Sequence, residues 1–185
     1  MKKLVVSGTL LALLASSAIA LAAGWDPEKD AKEMTAATET VKAFKADHPN
    51  MQVYFDKAYG YAVFPTIGSA ALVFGGSHGK GKVFEQGKLI GDASLSKASI
   101  GLQAGGESYS MLIFFQDKET LAKFKSNKVS LAAGASVTAM DKGKSATMAW
   151  SDGIAVFTRN KGGLMAAAAV GGQQFEFTPT APAKK

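Results

Sequence analysis

Five residues near the middle of the chain match a catalytic pattern. Residues 75–79 (GGSHG) fit G-x-S-x-G, in which a serine nucleophile lies on a sharp turn between a strand and a helix. Hydrolases of that type place the catalytic histidine later in the chain, and no histidine follows His78. The next residues, 80–84 (KGKVF), are typical of a strand. We therefore interpret residues 75–79 as a glycine-rich hairpin loop between two strands rather than as a nucleophile elbow.

The same stretch nearly matches a phosphate-binding loop. Residues 76–82 fit G-x-x-x-x-G-K, but Val83 stands where Ser or Thr would bind Mg²⁺. His48 and His78, the two histidines of the chain, are far apart in sequence, and there is no cysteine to complete a metal site. The sequence thus predicts no enzyme activity, no metal and no cofactor. A hydrolase whose carboxylates are brought together by the fold stays open as the less favoured alternative.

The distribution of charged residues suits an anionic partner. Residues 24–58 carry five Lys against seven acids, whereas residues 59–185 carry fourteen Lys or Arg against eight acids. Such a surface attracts anionic lipid, although ordinary solvation accounts for it equally well. The lysines are too scattered to indicate nucleic-acid binding. The candidate lipid-binding residues lie at or beside predicted turns and would form a cationic rim if those turns meet: Lys80, Lys82, Lys88, Lys142, Lys144, Arg159 and Lys161.

The N-terminus has the composition of an export signal. Lys2 and Lys3 precede an apolar segment, Leu4–Leu14, and residues 18–20 (AIA) are typical of a cleavage site. The apolar segment is short for a membrane-spanning helix, and no lipid-attachment cysteine follows it. We predict that residues 1–23 are a signal peptide and that the protein is periplasmic or secreted.

Three segments have helical patterns. Asp26 can cap the first, over residues 26–47, whose apolar side chains recur at spacings of three and four and favour docking onto the rest of the domain. Asn50 can cap the second, over residues 51–58, and Asp117 can cap the third.

Between residues 60 and 172 the chain changes to short apolar runs that are separated by eighteen glycines. Turn signals about every ten residues indicate antiparallel strands. The favoured turns are Gln86-Gly87, Lys142-Gly143, Asp152-Gly153 and Gly162-Gly163. The predicted fold is α+β, with N-terminal helices packed on an antiparallel β-sandwich or barrel with glycine-rich hairpins. Five aromatic residues are expected in its core, or less favourably in a lipid-facing groove: Phe64, Phe74, Phe84, Phe114 and Phe115.

Several stretches in order resemble the SYLF domain family. Residues 57–65 (KAYGYAVFP) and residues 75–81 (GGSHGKG) resemble the opening motifs of the family. Residues 101–107 (GLQAGGE), 131–137 (LAAGASV) and 161–166 (KGGLMA) are similar to its later signatures. The resemblance spans roughly residues 50–177.

The resemblance implies a non-enzymatic module that binds membrane lipid. Phosphoinositides and actin are partners of eukaryotic relatives, and neither is carried over to an exported bacterial protein. We predict an N-terminal helical segment over residues 24–58, a SYLF-like domain over residues 59–177 and a disordered tail over residues 178–185. The predicted function is binding of anionic lipid or amphiphile in the bacterial cell envelope. The alternative is an envelope structural or stress protein that binds another protein.

Overall fold

A computed structural model describes six stretches of the chain. They are residues 26–70, 75–99, 108–127, 150–160, 163–165 and 173–180.

Helices precede the first strand and follow the fourth. Their bounds are α1, Pro27–Asp47; a short 3₁₀ helix, Pro49–Met51; α2, Gln52–Lys57; and α3, Lys118–Lys125. The Asp26 carboxylate accepts hydrogen bonds from the backbone N–H groups of Glu28 and Lys29, which confirms the predicted cap of α1. The Asp117 carboxylate accepts from the N–H of Thr120 in the same way. The cap predicted at Asn50 is wrong, because the chain enters α2 directly from the 3₁₀ helix without a side-chain cap.

Seven strands form one antiparallel sheet with the spatial order β6-β5-β4-β1-β2-β3-β7. Their bounds are β1, Gly60–Ala70; β2, Gly75–Glu85; β3, Lys88–Ser99; β4, Ser108–Phe115; β5, Ile154–Asn160; β6, Gly163–Met165; and β7, Gln174–Pro179. The α+β class is confirmed. The sandwich or barrel is wrong for the described strands, which form a single open sheet. Strand β7 also takes in the first two residues of the predicted disordered tail.

Helices cover both faces of the sheet, which explains why the fold needs no second sheet. On the α1 face, strand residues such as Val63, Leu112 and Phe114 pack against Phe44 of α1 and Tyr54 of α2. On the α3 face, a separate apolar core surrounds two buried residues of α3 and includes Phe64 and Phe115. Three of the five predicted core aromatics are fully buried: Phe64, Phe114 and Phe115. Phe84 is partly buried on the α1 face, and Phe74 lies outside the described residues.

Two of the predicted turns are confirmed by their backbone angles. Gln86 and Gly87 have φ values of 49° and 77°, and Asp152 and Gly153 have 50° and 77°. Positive φ at both central positions is typical of a tight hairpin turn, and glycine adopts it without strain. Lys142-Gly143 and Gly162 lie outside the described residues.

The glycine-rich stretch that was predicted to be a loop is part of strand β2. Glycine at positions 79 and 81 is needed because the neighbouring strand places large side chains over them. A Cβ atom at Gly81 would lie 2.5 Å from the carbonyl oxygen of Val63 and 2.8 Å from the ring of Phe64. A Cβ atom at Gly79 would lie 2.6 Å from Ile67. The glycines therefore make room for the core of the α3 face rather than for a turn.

Replacing Gly81 by alanine should destabilise the protein, because the added methyl group overlaps backbone and an aromatic ring. We expect Gly81→Ala to cost roughly 1–3 kcal/mol in the free energy of unfolding. Gly68 lies on neighbouring β1, and apart from its own chain neighbours no atom lies within 4 Å of its Cβ position, so Gly68→Ala is the matched control and should stay within about 0.5 kcal/mol. Urea unfolding measures both, and equal stabilities for the two variants would contradict the packing described.

Candidate functional site

The most unusual charged residue of the structure is Lys82, in the middle of β2. Its side chain is 2% exposed and points to the α1 face of the sheet. The ammonium group forms ion pairs with Asp30 and Glu33 of α1 and with Asp92 of β3, at Nζ–O distances of 3.3 Å for Glu33 and 2.7 Å for Asp92. Asp92 is also the cross-strand partner of Lys82 in the β2–β3 register. A buried ammonium requires such partners, because removal from water is otherwise strongly unfavourable.

These contacts keep Lys82 positively charged. Burial lowers the pKa of Lys82, but the hydrogen bonds and negative charges of Asp30 and Asp92 raise it by more, so that the pKa lies above the ordinary lysine value. The three carboxylates are between one-third and one-half exposed, and they retain access to water while the ammonium does not. The cluster therefore joins α1 to the sheet through a fully charged interaction.

The carboxylates of Asp30, Glu33 and Asp92 are also close enough to share a metal ion, since their ligand oxygens lie within 4.8 Å of one another. Lys82 forms ion pairs with all three groups and supplies the cation of this cluster itself. The arrangement is therefore a salt-bridge network, and it gives no reason to place a metal there.

A polar surface continues from Lys82 along the same face of β2. Side chains alternate along a strand, so His78 and Lys80 lie on the same face as Lys82 at intervals of about 6.6 Å. His78 is paired across the strands with Ser96, and Lys80 with Thr66 and Ser94. His78, Lys80, Thr66 and Ser96 are exposed, and Ser94 is half-buried. We call these five residues the β2 surface.

A pocket of about 290 Å³ lies between the β2 surface and α1. Ala36 of α1, Pro65 of β1 and the backbone of the β2 glycines form its apolar part. Its polar lining comes from His78, Lys80 and Lys82 of β2 and from Glu33 of α1. Lys80 has no ion-pair partner within the described part of the chain, which distinguishes it from Lys82. The pocket thus combines apolar walls with one unpaired cation.

Among the candidates that the structure describes, the predicted cationic rim does not come together. Lys82 is buried and paired, because α1 packs over it. Arg159 binds Asp47 at the end of α1, with a distance of 2.6 Å between Nε and Oδ2. Lys88 is exposed, but it is the cross-strand partner of Glu85, whose contact with Lys125 of α3 shows that this pair lies toward the α3 face. Lys142, Lys144 and Lys161 lie outside the described residues. Of the four candidates that the structure describes, Lys80 alone lies on the β2 surface.

The geometry also excludes the two enzyme motifs at this position. Residues 75–85 form one continuous strand, without the strand–turn–helix that a nucleophile elbow or a phosphate-binding loop needs. Ser77 and His78 are adjacent in the strand, so their side chains point to opposite faces and cannot form a nucleophile–base pair.

Sequence reasoning missed His78, Thr66, Ser94 and Ser96 as parts of one surface. A signal for His78 was present, since residues 78, 80 and 82 alternate as one face of a strand requires. It was hidden by the interpretation of the glycines as a loop. The other three residues depend on strand register, which the local sequence does not specify.

No helix among the described residues is long and apolar enough to cross a membrane.

Comparison with known proteins bears on the identity of the chain. A family model described as "Las17-binding protein actin regulator" (Ysc84) matches residues 96–181, which include the last three of the stretches that resemble the SYLF family. The resemblance to the SYLF family is confirmed. The chain is also 27% identical over 155 residues to Beta cell expansion factor A from Aeromonas veronii. That alignment takes in 80% of this chain and 58% of the relative, so the chain spans little more than half of that protein's length.

Removing the Lys82 ammonium should destabilise the fold, because three carboxylates would then face one another without a cation. Since those carboxylates are partly exposed, we expect Lys82→Met to cost roughly 1–3 kcal/mol in the free energy of unfolding at pH 7. Lys80→Met, on the same strand and face but exposed, is the matched control and should cost less than about 0.5 kcal/mol.

The difference in the free energy of unfolding between Lys82→Met and the wild type should become smaller at alkaline pH. The folded-state pKa of Lys82 is raised, so its contribution is complete below the unfolded-state pKa near 10.5 and is lost as the pH rises through the folded-state value. Denaturant unfolding at pH 7 and at about pH 11 measures this. A Lys82→Met deficit that is absent at pH 7, or that grows at alkaline pH, would contradict the ion-pair role.

Proposed function

We propose that the protein is a non-enzymatic module that binds an anionic lipid headgroup, or another anionic amphiphile of the bacterial cell envelope, at the β2 surface. The observation that carries the proposal is the exposed Lys80, which has no ion-pair partner among the described residues and stands beside an apolar-walled pocket. The SYLF resemblance supports lipid- or actin-related binding as the class of function.

The pocket can accommodate a ligand that has an anionic group at one end and an apolar segment at the other. The ammonium of Lys80 and the hydroxyl group of Thr66 line the pocket and can donate hydrogen bonds to phosphate or carboxylate oxygens. Ser94 and Ser96 offer further hydroxyl groups on the β2 surface outside the pocket. Ala36 and Pro65 offer apolar contact in the pocket. A volume of about 290 Å³ lies at the lower end of ligand pockets, so a headgroup with a short apolar segment fits better than a whole lipid.

This proposal is narrower than the cationic rim expected from the sequence. It keeps Lys80, removes Lys82, Lys88 and Arg159 from the exposed anion contacts, and leaves the contribution of Lys142, Lys144 and Lys161 as a prediction. It also includes periplasmic or secreted localisation, which rests on the signal-like composition of residues 1–23.

A protein partner is the second candidate, and one finding favours it. The matching family is described by its binding to a protein, Las17, and as an actin regulator. Such a partner would not require anionic lipid, so vesicle binding separates the two candidates.

The test is co-sedimentation with vesicles of phosphatidylcholine alone or of equal parts phosphatidylglycerol and phosphatidylcholine. The protein is expressed from the whole chain and isolated after export, and its N-terminus is read by mass spectrometry. We expect salt-sensitive binding to the anionic vesicles only. A basic residue near an anionic surface contributes about 1 kcal/mol, so Lys80→Ala should lower the partition coefficient about fivefold.

Lys88→Ala is the matched control, because it removes the same charge from the opposite face of the sheet. Its partition coefficient should change less than about twofold. Equal losses for the two variants would show that binding depends on net charge and not on the β2 surface. Absence of binding to either kind of vesicle would overturn the lipid proposal and favour the protein partner.

A further inference from the structure

The two halves of α1 are attached to the sheet in different ways. The C-terminal half buries Ala37 and Phe44 in the core of the α1 face, and the ion pair of Asp47 with Arg159 holds its end. The N-terminal half, residues 27–36, has no fully buried residue. Within the described chain, the ion pairs of Asp30 and Glu33 with Lys82 are the side-chain bonds that join this half to the sheet. Its attachment therefore depends on charge, whereas that of the other half depends on apolar burial.

Lys82 lies next to Lys80, the proposed lipid contact, on the same face of β2. It follows Lys80 by two residues on the same face of β2, and both line the same pocket. The Asp30 and Glu33 carboxylates bind its ammonium in the way that a phosphate or carboxylate headgroup would. Glu33 itself lines the pocket, so one acidic side chain of α1 stands beside the place that an anionic ligand would take.

We propose that the N-terminal half of α1 is an internal competitor of the anionic ligand. Asp30 and Glu33 occupy Lys82 in the closed form, and an anionic headgroup displaces them, so that Lys82 joins Lys80 in holding the ligand. This inference rests on the proposed function and names how its site is regulated.

The charge of the site reverses when the helix lifts. In the closed form the site holds Lys80, Lys82 and the three carboxylates that pair with Lys82, which gives a local net charge of −1. With Asp30 and Glu33 withdrawn, the two lysines and Asp92 remain, and the local net charge becomes +1. The closed form thus repels an anionic surface that the open form attracts. Because the core contacts of α1 begin at Ala37, residues 27–36 can lift without exposing that core.

The experiment compares two double variants that change the net charge equally. Asp30→Asn with Glu33→Gln removes the competing charges and keeps the shapes of the side chains. Glu28→Gln with Glu39→Gln removes two exposed acids of the same helix that do not contact Lys82, since Glu28 pairs with Lys32 instead. Both are measured with the vesicles of phosphatidylglycerol and phosphatidylcholine described above. One additional usable lysine should raise the partition coefficient of the first variant roughly fivefold over the second.

A triple variant tests whether Lys82 is the group that is released. Adding Lys82→Met to the Asp30→Asn and Glu33→Gln changes should abolish the gain. If the first double variant binds no better than the matched control, or if the gain persists without Lys82, the competitor role is overturned. Wild-type binding with sensitivity to Lys80→Ala would leave the proposed function standing in that case, whereas absence of vesicle binding by every variant would overturn both.

Limited trypsin digestion of the wild type reports directly on whether the N-terminal half of α1 opens, without comparing the affinities of variants. Lys29 and Lys32 lie in the N-terminal half of α1, and Lys45 lies in the half that is held by apolar burial. Anionic vesicles should accelerate cleavage of the wild type after Lys29 and Lys32 several-fold relative to cleavage after Lys45. Protection of Lys29 and Lys32 by the vesicles would show that α1 stays closed in the bound state and would overturn the inference.

Discussion

The arrangement of this protein depends on one buried charge. Lys82 lies in the centre of the sheet with almost no access to water, and its ammonium must find carboxylates there. Asp92 comes from the adjacent strand, but Asp30 and Glu33 come from a helix about fifty residues earlier in the chain. The N-terminal half of α1 therefore lies across the sheet because Lys82 requires it, while the C-terminal half is held by ordinary apolar packing.

The glycines of β2 make this arrangement possible from the other side of the sheet. Gly79 and Gly81 carry no side chain on the α3 face, and Ile67 and Phe64 fill the space. The intervening residues, Lys80 and Lys82, then project to the α1 face. One strand thus supports a tightly packed apolar core on one face and a row of polar groups on the other. This division explains how a stretch with the composition of a loop can form an interior strand of the sheet and still carry the candidate binding surface.

The parts of the fold that local chemistry decides were predictable from the sequence. Asp26 and Asp117 cap their helices as expected, and Gln86-Gly87 and Asp152-Gly153 form the expected tight turns. What the sequence could not reveal depends on contacts between distant residues. The glycines resembled a loop because the side chain of Phe64 that needs their space lies on another strand.

The candidate site depends even more on contacts between residues that are distant in the sequence. Seven basic residues looked equivalent in sequence, yet helix packing buries Lys82, a distant aspartate pairs Arg159, and strand register turns Lys88 toward the α3 face. The β2–β3 register shifts between Val83 and Phe84, and the local sequence contains no pattern that predicts this shift. Exposure and pairing, which decide whether a lysine can meet a ligand, are therefore properties of the tertiary structure.

Native-state hydrogen exchange of wild type and Lys82→Met most directly tests whether this lysine attaches the N-terminal half of α1 to the sheet. We expect the backbone amides of residues 31–36 to lose protection selectively in the variant, while those of residues 41–47 keep most of theirs. Loss of protection in both segments to the same extent would show that Lys82 only contributes to global stability. Unchanged exchange of residues 31–36 would show that the helix is held by other contacts, and the role assigned to the buried charge would be wrong.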